Sequence, residues 1–228
     1  MNNDISIIIP VYNGENYIHD ALNSVTQQSY PIKEIIVVDD GSSDSTKAII
    51  ANYKIKNTLL TYIFQINSGI SAARNAGLYA SKTSFVAFLD HDDLYLPVKL
   101  ESAMKIFSTN ANIMAVRGKH KLFFEGIGLD DSDHLIKDKT KQIDYGPLIG
   151  AAVFKKILFE KIGYFDEDLI SAEDIDLWLR IRKNNLLVHD VDEVHLLYRR
   201  HKDNYTKTKK FNKSKGIDLL RMLRKNKK

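Results

Sequence analysis

The feature that most narrows what this chain can become is an alternation through its first half: short, almost wholly apolar runs take turns with amphipathic stretches. Ile5–Pro10 is apolar except for Ser6, as a strand buried on both faces should be. Tyr17–Gln28 follows, with Ile18, Ala21, Leu22 and Val25 at helical spacing behind Asn16 as a cap. Glu34–Asp39 reads as a second buried strand, and Ser45–Tyr53 as a helix opened by the Gly41-Ser42-Ser43-Asp44 turn. Leu59–Ile66 and Ile70–Ala80 repeat the pair. So do Phe85–Leu89 and Leu96–Ser108, the last helix opening near Pro97. This alternation predicts an α/β fold, with a mainly parallel central sheet and helices on both faces.

Sheets of that kind bind ligands outside the carboxyl ends of their strands. The polar clusters fall there: Pro10-Val11-Tyr12-Asn13-Gly14 after strand one, Asp39-Asp40-Gly41-Ser42 after strand two, Asp90-His91-Asp92-Asp93 after strand four. Beyond about Ile113 the pattern loosens. Glu125–Asp144 is polar and aperiodic and reads as a mobile loop. Regular structure is expected again at Phe154–Ile162 and from Ser171 to Lys183.

Composition closes several routes. With no cysteine, the chain has no disulfide, thiolate metal site or cysteine nucleophile, which fits a reducing compartment. It contains no run of eighteen apolar residues, so no spanning helix is expected, and its start lacks a basic-then-apolar leader. The net charge of +4 is unevenly placed. From Lys202 to Lys228 there are 11 Lys/Arg against 2 Asp/Glu, leaving 22 against 27 in the preceding residues. Because the body is acidic, a nucleic-acid partner is not expected.

Three carboxylates in Asp90-His91-Asp92-Asp93 repel one another unless a cation or hydrogen bonds compensate. Hard cations such as Mg2+ and Mn2+ take one or two carboxylates plus substrate phosphates. The plainer alternative is a solvated acidic turn, which the position behind a buried strand argues against. Asp39-Asp40-Gly41 suits a turn, yet a carboxylate there could also accept the N3–H of a uracil ring. Arg74 sits in the small-residue segment Asn67 to Asn75, able to meet a phosphate bidentately or to pair with a helix neighbour on the surface. Glu173, Asp174 and Asp176 open a helix, where the dipole favours acids and where one could stay ionised as a general base.

Taken together, these segments resemble the inverting family 2 glycosyltransferases. The matching residues are Ser6 to Gly14, Val37 to Asp44, Asn67 to Gly77, Phe88 to Asp93, Gly163-Tyr164-Phe165-Asp166 and Ala172 to Arg180, in the family's order across about Ile5 to His201. The resemblance implies a GT-A fold over residues 1–201, with a nucleotide-sugar half to about 95, an acceptor half over 96–201, and a basic tail, 202–228. It implies Asp174 as general base and Asp39 as reader of the nucleotide base, with Pro10, Val11, Tyr12 and Asn13 beside it. Arg74 would support the base or diphosphate, Asp90 the ribose or metal-bound water, and His91 fills the variable position. Asp92 and His201 would hold the divalent metal, Mn2+ or Mg2+, with Glu173 and Asp93 in support.

The implied donor is a nucleotide sugar, a UDP-sugar for preference, and the acceptor a glycan or lipid-linked glycan at the inner face of a bacterial membrane. Two other readings compete: an Asp-x-Asp phosphohydrolase and a non-catalytic nucleotide-sugar-binding protein. In the hydrolase pattern the motif closes the first strand and runs into Gly-Thr, whereas here Asp93-Leu94-Tyr95 follows a fourth strand. In the tail, Ile217, Leu220 and Leu223 recur at helical spacing among Lys and Arg, a pattern suited to peripheral contact with an anionic membrane.

Overall fold

The structure, a computed structural model, describes residues 3–55, 58–126, 143–202, 204 and 218. Its first half is built as the alternation predicts. β1 (Ile5–Val11) and β2 (Glu34–Asp39) are buried along their whole length. They pair in parallel with each other, with β3 (Leu59–Phe64) on one side and with β4 (Phe85–Phe88) on the other. The crossovers are α1 (Ile18–Thr26), α2 (Thr46–Asn52) and α3 (Ile70–Ala80).

The second half extends the same sheet with strands of mixed sense. β5 (Leu94–Tyr95) and α4 (Lys99–Thr109) lead into a twelve-residue strand, β6 (Ile113–Phe124). After β7 (Ile143–Asp144) and a 3-10 turn come β8 (Ala152–Lys155), α5 (Ile157–Ile162), α6 (Glu173–Lys183) and the fourteen-residue β9 (Leu187–Arg200). The sheet order is β3-β2-β1-β4-β8-β6-β9-β5, with β7 beside β6. β8 is antiparallel to both β4 and β6, while β9 runs parallel to β6.

Each sheet face carries its own core. Ile5, Ile7, Ile9 and Val11 pack with Leu22 of α1 and Leu100 and Met104 of α4. On the opposite face, Ile8, Val86 and Phe88 pack with Phe154, Phe159, Phe165 and Leu177. Ser6, the one polar residue in the β1 run, is answered where it is buried: its hydroxyl bonds to Glu34 (2.6 Å), Ser81 (2.7 Å) and Thr83 (2.5 Å). Gly77 lets α3 lie tightly on β1, since a Cβ there would come within 2.3 Å of Ile8 Cγ2.

One helix start differs from expectation. α1 begins at Ile18 with Tyr17 at the cap and no side-chain cap bond, so Asn16 does not cap it. The Gly14 carbonyl instead accepts from the amides of Tyr17 (3.0 Å) and Ile18 (2.9 Å). The loop expected over Glu125–Asp144 lies outside the described residues except at its two ends, as does the tail except for Lys202, Asn204 and Asp218. Asp218 is buried against the body, accepting from the amides of Ile170 (3.1 Å) and Ser171 (2.7 Å) and from the Ser171 hydroxyl (3.0 Å).

Candidate active site

The parallel strands end on one sheet edge, and their loops are bonded into a single rim. Asn13 takes φ 51°; its amide donates to the Ser42 hydroxyl (2.9 Å) and its Oδ1 accepts from the Ser43 amide (2.9 Å). Gly14 has no room for a side chain, because a Cβ would meet Val11 Cγ2 at 2.5 Å and His91 Cδ2 at 2.7 Å. That contact brings the loop after β1 against the acidic loop after β4. Of the four residues Pro10 to Asn13, Pro10 and Val11 are buried within the sheet, while Tyr12 and Asn13 face outward.

The two aspartates after β2 divide the work. Asp40 accepts from Gln65 Nε2 (2.7 Å) and the amides of Ser68 (2.8 Å) and Gly69 (2.9 Å), which shapes the loop leading to α3. Asp39 accepts from the Ser42 amide (2.8 Å) on one oxygen and the Tyr62 hydroxyl (2.7 Å) on the other. Burial, then the Asp39 carboxylate, pushes the Tyr62 hydroxyl above the usual phenol range. A carboxylate offers about four acceptor positions, so Asp39 retains capacity for one more donor.

Arg74 is at the centre of the site. Its guanidinium is only 1% exposed and bonds to Asp90, Glu173 and Asp174, each at 2.9 Å. It also lies over the Phe165 ring at 5.5 Å. Arg74 is therefore no surface arginine paired along its helix. Instead of an open position facing phosphate, its Nη atoms meet carboxylates, and they join the loop after β4 to the start of α6. One cation serves three carboxylates there. Burial raises Asp174 to about 7, Arg74 opposes the rise, and Glu173 and Asp90 add to it. The second Asp174 oxygen accepts from the Ile149 amide (3.1 Å). α6 starts after Ala172 in the left-handed region (φ 66°), directly behind the Ser171 segment that Asp218 holds.

The rest of the acidic loop is held from β9. The Arg199 amide donates to Asp93 Oδ1 (2.9 Å), and Arg199 Nε donates to the Asp92 carbonyl (2.7 Å). The same guanidinium lies over Tyr17 (5.1 Å) and Phe123 (4.8 Å) and pairs with Asp20 at 3.3 Å. Asp93 is buried and faces inward, where burial and its neighbours Asp92 and Asp90 push it well above the usual carboxylate range. Asp92 points the other way, bonding His201 Nε2 at 2.9 Å, with Asn204 Nδ2 at 3.4 Å.

Among the described residues, no group of three or more His, Asp or Glu side chains is placed to hold a metal unaided. Asp92 and His201 nonetheless offer one carboxylate oxygen and one imidazole nitrogen side by side. That donor set fits a Mn2+ or Mg2+ completed by substrate phosphates. The structure thus brings Asp90, Arg74, Glu173 and Asp174 together, and separately Asp92 and His201. Sequence reasoning passed over Tyr62, Arg199 and Asn204. Arg199 stands two residues before His201, but nothing local marks its reach to Asp92.

Residues 6–162 match the family model for Glycosyl transferase family 2. The chain belongs to that family. An uncharacterised glycosyltransferase of Rickettsia typhi is 35% identical over 201 residues, covering 82% of this chain and 61% of the relative. The chain thus spans about six-tenths of that relative's length. The putative teichuronic acid biosynthesis glycosyltransferase TuaG of Bacillus subtilis is 30% identical, over 86% of this chain and 78% of TuaG. Among solved structures, S. aureus TarS 1-349 in complex with UDP-GlcNAc superposes with a TM-score of 0.73 at 24% identity, over 94% of this chain and 65% of TarS. The Pyrobaculum calidifontis mannosyltransferase PcManGT, in complex with GDP-Man and Mn2+, gives 0.68 at 22% identity, over 88% of this chain and 58% of its own. These likenesses establish the GT-A-like fold, and among the described residues no helix is long and apolar enough to cross a membrane.

Proposed function

We propose that this chain transfers a hexosyl or N-acetylhexosaminyl unit from a UDP-sugar to an acceptor hydroxyl, with inversion, in the synthesis of a bacterial surface or lipid-linked glycan. The observation that carries this reading is the single guanidinium of Arg74, which ties Asp90 on the donor side to Asp174 on the acceptor side, with Asp174 held at about 7. A carboxyl poised there can take a proton at neutral pH, as a general base must.

In the reaction, Asp174 accepts the proton of the acceptor hydroxyl as its oxygen bonds to the anomeric carbon. The bond from that carbon to the diphosphate oxygen breaks on the opposite side, and its electron pair leaves with the nucleoside diphosphate. Asp39 accepts from the nucleobase, Tyr12 and Asn13 flank it, and Pro10 and Val11 support them through the backbone. Asp90 and His91 border the ribose. Asp92 and His201 would hold Mn2+ or Mg2+, which supplies positive charge to the departing diphosphate. Arg74 positions Asp90 and Asp174 rather than gripping phosphate itself.

The 1–201 body then forms the transferase, and the basic tail beyond it offers Lys and Arg to an anionic membrane from the cytoplasmic side. The TuaG likeness supports a surface-glycan setting, and the Mn2+ of PcManGT supports the metal. Incubation with UDP-GlcNAc, Mn2+ and an acceptor panel should release UDP; release of inorganic phosphate would indicate a hydrolase instead. UDP with Mn2+ should raise the melting temperature by mass action. In Asp92→Asn turnover should vanish and the rise should shrink, and an equal rise in the variant would overturn the metal assignment. The tail's role is tested by co-sedimentation with anionic liposomes at low salt, where the full chain should pellet and neutral liposomes should leave it in solution.

A further inference from the structure

A groove of about 650 Å3 opens along α6. This is within the roughly 300–1,000 Å3 usual for small-ligand sites. Trp178, Ile181, Arg182 and Asn185 border it from α6 and its exit, Arg117 from β6 and Asp190 from β9. Asp174, Trp178 and Ile181 are four and three residues apart on α6, so the helix face that begins with Asp174 continues as the wall of this groove. At a rise of about 1.5 Å per residue, Trp178 is about 6 Å and Arg182 about 12 Å along the axis from Asp174. The chain between them is shared: the Ile149 amide donates to Asp174, and Trp178 Nε1 donates to the Pro147 carbonyl at 2.7 Å.

The groove chemistry is specific. Arg117 forms a two-pronged pair with Asp190 (2.9 and 2.8 Å) and lies over the Trp178 ring at 5.0 Å. That leaves a fixed set of planar donors and acceptors along the groove wall, which suits sugar hydroxyls. Arg182 is exposed and, among the described residues, takes part in no ion pair. Two guanidiniums against one carboxylate give the groove a positive charge, and a free guanidinium fork matches carboxylate or phosphate geometry.

We infer that this groove holds the acceptor glycan beyond its reacting hydroxyl, and selects a glycan that bears an acidic group facing Arg182. The inference rests on the transferase reading of Asp174. Trp178 is the chain's sole tryptophan, so its fluorescence reports on the groove directly. The full chain is titrated with three probes: a tetrasaccharide alternating glucuronic acid and N-acetylglucosamine, a short ribitol-phosphate oligomer, and neutral chitotetraose.

A saturable change in Trp178 emission is expected with an acidic probe and not with the neutral one, and the arm that binds identifies carboxylate or phosphate. In Arg182→Glu that affinity should fall tenfold or more, since a hydrogen bond to a charged group contributes about 1.5–3 kcal/mol. The melting-temperature rise with UDP and Mn2+ should be unchanged in the same variant. The inference is overturned if neither acidic probe perturbs Trp178, if Arg182→Glu binds as tightly as the parent, or if chitotetraose binds equally well. A silent Trp178 with an intact UDP–Mn2+ response defeats the groove alone. Loss of both responses in the parent defeats the transferase reading as well.

Discussion

Asp174 and Asp92 are both aspartates at the same sheet edge, yet the molecule surrounds them in opposite ways. Asp174 is buried and shares Arg74 with Glu173 and Asp90; burial, then the two neighbouring carboxylates, raise it to about 7 although Arg74 opposes the rise. Among the described residues, the Asp92 carboxylate meets His201 and Asn204, and the cation beside it, Arg199, is spent on its backbone carbonyl. The first arrangement stores a titratable group; the second leaves a carboxylate short of positive charge, as a metal ligand should be. The difference lies in burial and in the neighbouring carboxylates, which raise Asp174 against the pull of Arg74.

Removing Arg74 would break that contrast most violently. Arg74→Ala strands three carboxylates at a partly buried site, and breaking a buried pair typically costs about 3–5 kcal/mol. Denaturant unfolding should show a loss of that order, and a change within error would mean that the three contacts carry little weight. Asp174→Asn is milder for the fold and should lower turnover by roughly two to four orders of magnitude while UDP binding stays unchanged. Loss of UDP binding in a folded variant would remove Asp174 from the acceptor side. The smallest effect is on pH dependence. Asp174 is protonated below about 7 and cannot accept a proton there, so kcat/KM should rise with pH through about 7 and then level off. Because Glu173 helps to raise that value, Glu173→Gln should move the limb to lower pH; a shift to higher pH would contradict the charge balance.

How much of this could be read beforehand divides along the chain. β2 and α3 begin and end where the apolar pattern places them, because strands buried on both faces and a helix packed on a sheet leave an undiluted signal. β6 and β9 were not foreseen. β6 carries Arg117, Lys119, His120 and Lys121, and its pairing with β9 shifts register three times between Ile113 and His120. Each bulge breaks the period-two alternation by which strands are recognised. The site was legible as separate acidic clusters behind strands, but Arg74 meets Asp174 across a hundred positions. No local pattern encodes a contact of that range.

Asp218 gives the order of synthesis a part in the chemistry. The amides of Ile170 and Ser171 and the Ser171 hydroxyl precede their acceptor by nearly fifty residues. A chain grows from its N-terminus, so the strands and loops of the first half are made well before this acceptor. The sheet and the donor rim can therefore form while the segment in front of Asp174 still lacks its anchor. In the folded chain this one carboxylate, distant in sequence, satisfies those donors and fixes the entry to α6. A chain ending before Asp218 would leave those donors without this acceptor, directly in front of the helix that carries Asp174.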